Sequence, residues 1–240
     1  FEMLIELCEM VDELVYDPEV RVIILKGEGS VFSSGVDFNS LGALVGRFMG
    51  ESAGGGMSIR SDIDKYPRLL TRLESIEIPI ICALHGAVFG MAWELALACD
   101  IRLMSEECTW SMKELQFGLI CDLGGQARML NLTTPSRVME ILATARTYSA
   151  QQALDWGLVN HVYRTDDLFS EAEAMARDII KNAPIAVGAL KRITKKGQGL
   201  DLNTLLDMEA NLQSILLRSE DFQEGIAALM EQRDANWKRK

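Results

Sequence analysis

At 240 residues with 48% hydrophobic content, the chain has enough apolar surface for one substantial core, and its composition excludes intrinsic disorder. A formal charge of −11 argues against nucleic acid as a main partner, because phosphate contacts need clustered Lys and Arg, and no stretch reaches the roughly 18 uninterrupted apolar residues of a membrane span. Five scattered cysteines and two histidines show no metal-ligand spacing, and the first ten residues mix Glu with apolar positions unlike a signal peptide, so the protein is read as soluble and cytoplasmic with buried, reduced thiols.

Leu4, Ile5, Cys8, Val11, Leu14 and Val15 recur at helical spacing, predicting a helix over residues 3–15 that Asp17 and Pro18 end. Residues 20–25 follow as a buried strand. A turn containing Gly27 and Gly29 leads into Phe32-Ser-Ser-Gly-Val-Asp37, and residues 41–65, rich in glycine, read as a mobile segment with short helical pieces. A helix at about 66–75 precedes an apolar strand at 78–84, a Gly-punctuated turn, a helix at 91–99 and a short strand at 101–104. This alternation indicates an α/β architecture.

Beyond Thr133 the pattern turns helical. Pro135 stands near one helix start, Ser149 suits the N-cap of residues 150–156 with Gly157 as the stop, and residues 166–181 form a long amphipathic run. Pro184 then separates a core, residues 1–183, from a helical region, residues 184–240, with helices at about 185–196 and 201–238. Leu202, Leu205, Leu206, Leu212, Ile215 and Leu216 give the last helix more apolar surface than it can hide alone, which implies packing against the core or another subunit.

Glu94 is the only formally charged residue between His85 and Asp100. Its neighbours at helical spacing, Gly90, Met91, Leu97 and Ala98, are apolar or small, which puts its carboxylate on a packing face. A lone buried carboxylate responds by raising its pKa toward the range useful for proton transfer. The alternative is a first-turn glutamate complementing the helix dipole. His85, just before the turn, is read as structural.

Two further acids have glycine nearby: Glu114, ending Trp110-Ser-Met-Lys-Glu114, and Asp122, in Gly118-Leu-Ile-Cys-Asp122-Leu-Gly-Gly125. Asp122 also suits a plain turn before the two glycines. Together with Phe32-Ser-Ser-Gly-Val-Asp37, Gly157-Leu-Val-Asn160 and the ending from Glu224 to Trp237, these stretches give a chain that resembles the crotonase (enoyl-CoA hydratase/isomerase) family over essentially its whole length. The three acids, in a Lys-Glu-x-x-x-Gly-Leu-x-x-Asp-x-Gly context, are most similar to those of the family's dienoyl-CoA isomerases.

The resemblance implies a spiral of ββα units with a C-terminal helical oligomerisation region, a homotrimer or dimer of trimers, an acyl-CoA thioester as substrate, and no cofactor beyond the coenzyme A which that substrate carries. It implies an oxyanion hole made by the backbone N–H groups of Val36 and Met91, where the enolate oxygen gains from two donors, one at a helix N-terminus. Ser34, Gly35, Asp37 and Gly90 would line the substrate site, with Lys191 and Lys238 as contacts for the coenzyme A phosphates, and residues 41–65 would border the acyl chain. Glu94 and Glu114 are the pair that positions water in the hydratases, while the isomerases rely on Glu114, on the acid at Asp122, or on both.

The chain departs from the family pattern at several places. Met91, Ala92 and Trp93 follow Gly90 where the family carries a glycine run, which predicts a narrowed pocket or a tilted peptide. Cys121 replaces a proline, predicting a looser loop, and Leu229 and Gln232 stand where an aromatic and a lysine often grip the nucleotide. By the same resemblance, a first strand and an Arg-Pro-x-x-x-Asn-Ala stretch, together roughly 20 residues, are expected ahead of the helix that starts near Phe1. The leading reading is a double-bond isomerase in which Asp122 takes a proton remote from the thioester, Glu114 delivers one to the α-carbon and Glu94 supports water or the conjugate acid. Hydration of a trans-2-enoyl-CoA by Glu94 and Glu114 is the second reading, and a non-catalytic acyl-CoA-binding oligomer the third.

Overall fold

The computed structural model describes residues 2–37, 39, 42, 60, 61 and 63–239. The expected mobile segment at 41–65, and with it the border of the acyl chain, falls almost entirely outside the described residues.

The apolar run after Pro79 forms β2 (Ile80–Leu84), every residue of which is buried. It pairs in parallel with β1 (Ile23–Lys26) on one side and β4 (Ile101–Ser105) on the other, and β7 (His161–Tyr163) completes the order β1-β2-β4-β7. A parallel strand covered on both faces reads as a continuous hydrophobic run rather than an alternation. Ile81, Ala83 and Leu103 face α7 (Leu168–Ile180), whose Leu168 and Ala172 are buried against them. Ile80, Cys82 and Leu84 face the main core instead, as the two-residue period of a strand requires.

A second, smaller sheet runs alongside. β3 (Ala87–Phe89) pairs in parallel with β5 (Thr109–Ser111), which pairs antiparallel with β6 (Thr147–Ser149). An isolated bridge from Ser33 to Val88 extends it toward the β1 segment. Each spiral step therefore places one strand in the large sheet, one in the small sheet, and then helical chain. In one step β2 and β3 lead to α3 (Met91–Ala98); in the next, β4 and β5 lead through a 3₁₀ turn (Glu114–Phe117) to α4 (Gly125–Leu130) and α5 (Pro135–Thr144). This is the ββα spiral expected from the sequence. The three-residue strands β3, β5, β6 and β7 escape a periodicity reading because so few residues show no period.

α1 (Glu2–Leu14) and α2 (Lys65–Ser75) pack on one another, and α6 (Ala150–Asp155) starts with the expected Ser149 cap, whose Oγ accepts from the Gln152 N–H in a full capping box. α8 (Pro184–Lys196) is tied to the core through Lys191, only 6% exposed, whose Nζ lies 2.7 Å from Asp100 and donates to the carbonyls of Leu73 (3.0 Å) and Ile78 (2.9 Å). Lys191 therefore does not serve as a phosphate contact. Its three donors are engaged inside the protein, and a buried ammonium is tolerable only with partners of this kind.

The expected helix at 201–238 is two helices, α9 (Leu202–Leu216) and α10 (Glu220–Glu231). Ser219 ends the continuity by accepting from the Phe222 N–H at 3.0 Å as a fresh N-cap. None of the α9 residues is buried, and Leu202, Leu206 and Ile215 stay exposed on it, as do Leu229 and Met230 on α10. Among the described residues no helix is long and apolar enough to cross a membrane.

Candidate active site

Four chain segments converge at the N-terminus of α3. β3 ends at Gly90, whose N–H donates to the Ser111 carbonyl of neighbouring β5 at 2.9 Å, and whose positive φ of 54° turns the chain into the helix. The Ser33–Val36 segment crosses beside it, held by bonds from Ser33 N–H to Ala87 O (3.1 Å) and from Phe89 N–H to Ser33 O (3.2 Å). Gly35, at φ 95°, permits the closest approach: a Cβ there would stand 2.6 Å from the Phe89 carbonyl oxygen and 3.7 Å from the Met91 nitrogen. The backbones of Val36 and Met91 are thereby brought together, and Met91, as the first residue of α3, carries an N–H with no carbonyl one turn earlier to receive it. The positive end of the helix dipole adds to the preference of this point for an anion.

Two side chains of the Met91, Ala92 and Trp93 triplet pack away from this point. Ala92 and Trp93 are buried in the core, where Trp93 stacks on Trp110 with ring centroids 4.4 Å apart and planes 17° off parallel, and only Met91 is left half-buried at the helix start. The helix turns each successive side chain by about 100°, so a large residue beside Glu94 need not point where Glu94 points.

Glu94 is 2% exposed. Its Oε2 accepts two backbone N–H groups, from Gly125 at 2.6 Å and from Leu123 at 3.1 Å. Gly125 is required here for space, since a Cβ would come within 2.7 Å of the Glu94 Cγ and 2.8 Å of its Oε2. Burial pushes the carboxyl up to about 7, the charges of Glu114 and Asp122 add to the rise, and the two amide bonds oppose it.

Glu114 opens the 3₁₀ turn and is half-buried, with its Oε1 lying 2.9 Å from where a Cβ on Gly90 would be, against the start of α3. The Cys121 thiol donates to its other oxygen at 3.9 Å. Burial, followed by the charge of Asp122, holds the Glu114 carboxyl above its ordinary range. Asp122 sits at the exposed rim of the same loop, and partial desolvation raises its carboxyl as well. Glu114 and Asp122 thus both oppose the ionisation of Glu94, and Asp122 that of Glu114, which fits the three carboxyls for proton exchange as an electrostatically linked set.

The expected substrate-lining residues fall around this point with different roles. Gly35 and Gly90 make the close turns; Ser34 is exposed beside them; Asp37 is exposed and accepts from the Asn39 N–H at 3.1 Å, which places it in a local turn. Lys238 is not gathered here. It lies in the tail that folds back on α10, where its N–H donates to Asp221 at 2.6 Å. His85 is structural: it is buried, its Nε2 bonds to the Gly29 carbonyl at 3.0 Å, and its ring meets Phe169 edge-on. Among the described residues no cluster of His, Cys, Asp and Glu has the arrangement of a metal site. The sequence reading missed the Leu123 and Gly125 amides that hold Glu94 and the Arg128 guanidinium beneath them; the glycine pair after Asp122 was the available signal for the first.

The sequence profile of the enoyl-CoA hydratase/isomerase family matches residues 1–240. Among curated proteins, the chain is 32% identical over 235 residues to the peroxisomal Delta(3,5)-Delta(2,4)-dienoyl-CoA isomerase of Arabidopsis thaliana, covering 97% of this chain and 84% of that protein. It is also 32% identical over 227 residues to the carnitinyl-CoA dehydratase of Salmonella arizonae, covering 92% and 83% respectively. Among solved structures, an enoyl-CoA hydratase from Bacillus anthracis superposes with a TM-score of 0.89 at 29% identity, covering all of this chain (100%) and 89% of that one. One from Polaromonas sp. JS666 superposes with a TM-score of 0.86 at 27% identity, covering 96% and 87%.

Proposed function

Because the chain belongs to the enoyl-CoA hydratase/isomerase family, we propose that it acts on an acyl-CoA thioester as a double-bond isomerase, moving a conjugated pair of double bonds relative to the thioester. The observation that carries the reading is the third acid: the charge of Asp122 raises the carboxyls of both Glu94 and Glu114, so the three are close enough to act as one set. Moving two conjugated double bonds by one position requires a proton to leave one carbon and another to arrive four carbons away. Two separate acids, Glu114 beside the start of α3 and Asp122 on the exposed side of the turn, supply one proton-transfer group for each end.

For a 3,5-dienoyl-CoA the steps balance as follows. Ionised Glu114, beside the start of α3, takes a proton from the α-carbon, and the electron pair delocalises onto the thioester oxygen, which the N–H groups of Val36 and Met91 stabilise. Protonated Asp122 then gives its proton to the far end of the delocalised system, and the electrons return to form the 2,4-diene. In the opposite direction Asp122 takes the remote proton and Glu114 delivers one to the α-carbon. Glu94, its carboxyl pushed up to about 7 by burial, supports the charge distribution while its Oε2 is held by the Leu123 and Gly125 amides. The relative of Arabidopsis thaliana named for this isomerisation supports the reading.

Addition of water across a trans-2 double bond, or its reversal, is the second reading. It is favoured by Glu94 with its carboxyl raised to about 7 next to a second glutamate, and by the relative named as a dehydratase. Assembly as a homotrimer or dimer of trimers belongs to either reading, and the exposed apolar residues of α9 and α10 support it. The deciding experiment mixes the purified protein with a 3,5-dienoyl-CoA and follows the ultraviolet absorbance of the conjugated 2,4-dienoyl product. A rise that Asp122→Asn abolishes and crotonyl-CoA hydration that it leaves intact supports isomerisation; hydration with no dienoyl turnover overturns it. Neither activity in the folded wild-type protein, with acyl-CoA still bound, would indicate a binding role alone.

A further inference from the structure

Glu94 is held by a loop, and the loop is held from behind. Arg128, on α4, donates from Nη1 to the Leu123 carbonyl at 2.7 Å, while its Nε and Nη2 make a two-point ion pair with the carboxylate of Glu74 on α2 at 3.0 and 2.8 Å. On the other side of the same peptide chain, the N–H groups of Leu123 and Gly125 point at Glu94 Oε2. Gly124 between them adopts φ 93°, and a Cβ there would meet the Arg128 Nη1 at 2.5 Å, so the guanidinium lies directly under the turn. Both partners of the ion pair are largely removed from water, with side-chain exposures of 12% and 22%.

From this arrangement we infer that Arg128 and Glu74 are positioning residues for the active-site carboxyl: they fix the 123–125 turn so that its two amides stay aimed at Glu94. The inference rests on the proposed activity only for its kinetic consequence. A planar guanidinium spreads its donors in a fixed fork, meeting the carbonyl with one nitrogen and the two carboxylate oxygens with the others, a span that the single nitrogen of an ammonium at this position does not reproduce. The charged groups around the brace are Lys195, whose Nζ is 3.8 Å from Glu74 and 3.6 Å from Asp100, and Asp100 itself; the titratable groups facing Glu94 are Glu114, Asp122 and the Cys121 thiol, which burial keeps protonated. A cavity of about 500 Å³ opens behind the turn, lined in part by Glu74, Arg128 and Lys195, so a shorter side chain at position 128 is hydrated rather than crushed.

The test is direct titration of Glu94 by carbon NMR on protein labelled at the glutamate carboxyl carbon, with the resonance identified by its absence in Glu94→Gln. Weakening the two amide bonds removes the opposition to burial, so in Arg128→Gln and Arg128→Lys the midpoint moves upward by about half a pH unit or more, and by less in Glu74→Gln. Parallel assays should show kcat falling about tenfold with KM little changed, since the brace touches no substrate. Midpoints within about 0.2 unit of wild type in all three folded variants overturn the inference. So does a shift confined to Arg128→Gln, which would mean that charge alone acts. A midpoint that moves while turnover does not would sustain the brace and instead remove Glu94 from the proposed chemistry.

Discussion

Gly125→Ala isolates the contact that seats Glu94. A Cβ at this position would lie 2.7 Å from the Glu94 Cγ, 2.8 Å from Oε2 and 3.0 Å from Cδ, while Gly125 has no positive φ to make alanine conformationally awkward. The glutamate cannot retreat, because it is buried in α3 and tied to the same turn. Either the turn lifts, lengthening the 2.6 Å bond from the Gly125 N–H, or the carboxyl rotates away from both amides. Overpacking of this kind costs about 1–3 kcal/mol, and weakening a hydrogen bond to a charged acceptor adds about 1.5–3 kcal/mol when the group ionises. At about 2–4 °C per kcal/mol for a chain of this size, the melting temperature should fall by roughly 5–20 °C. Turnover should fall at least about tenfold, because an ångström of displacement in an acting group is enough for that. Gly199→Ala is the control: it has φ 81° with nothing within 4 Å, so it should lower stability by about 1 kcal/mol through backbone strain alone and leave turnover unchanged. Thermal unfolding and steady-state assays on the two variants decide the matter. Wild-type turnover in Gly125→Ala would refute the claim that this glycine exists to seat the carboxyl.

Three other perturbations follow from the same geometry. Glu94 has its folded pKa raised from 4.5 to about 7, so the native state keeps a proton that the unfolded state has released; stability falls as pH rises through this window, by up to about 3 kcal/mol. Glu94→Gln should remove that slope and be more stable than wild type at pH 8 in denaturant titrations while losing activity; an unchanged slope would contradict the assignment. Cys121→Ala removes the thiol that favours ionised Glu114, so the acidic limb of kcat/KM should move to higher pH by a few tenths of a unit, and an unmoved limb would deny the thiol that role. Lys191→Met leaves Asp100 without its closest cation and should cost about 3–5 kcal/mol in chemical denaturation, with KM for the CoA thioester unchanged in the remaining folded enzyme; a raised KM with intact stability would restore the phosphate role excluded above.

The parts legible from sequence are those whose cause is local. An apolar run, a glycine turn and a helix without another charge marked β2, α3 and the burial of Glu94, and the Ser149 cap was visible because a capping box spans only four residues. What escaped depends on residues far apart in the chain. Arg128 and Glu74 meet across 54 positions, and Lys191 reaches carbonyls more than 100 residues earlier, so nothing in their neighbourhoods distinguishes them from solvated surface charge. The single helix expected over 201–238 failed for another reason. Its apolar spacing continues through Leu216 and Leu217 without a proline or glycine, and only the hydroxyl of Ser219 turning back to Phe222 breaks it.

Raised pKa values at Glu94, Glu114 and Asp122 all describe the same tension: ionised, these groups oppose folding. The structure offsets that tension next to where it arises. Trp93, adjacent to Glu94 in α3, stacks on Trp110, which in turn meets Tyr148 at 5.0 Å and Trp156 at 6.1 Å, with the Arg137 guanidinium over the Trp156 ring. Aromatic burial of this size contributes several kcal/mol, by the scale of about 25 cal/mol per Å² of apolar area. Trp110 also opens the short run of chain that ends in Glu114, so one stack fixes the helix carrying Glu94 and Met91 relative to the strand leading to the second acid. A loose α3 would let the carboxyls separate and relax their mutual repulsion, and their titration would return toward ordinary values. The rigidity of the aromatic stack is therefore a condition for the acid–base character of the carboxyls beside it.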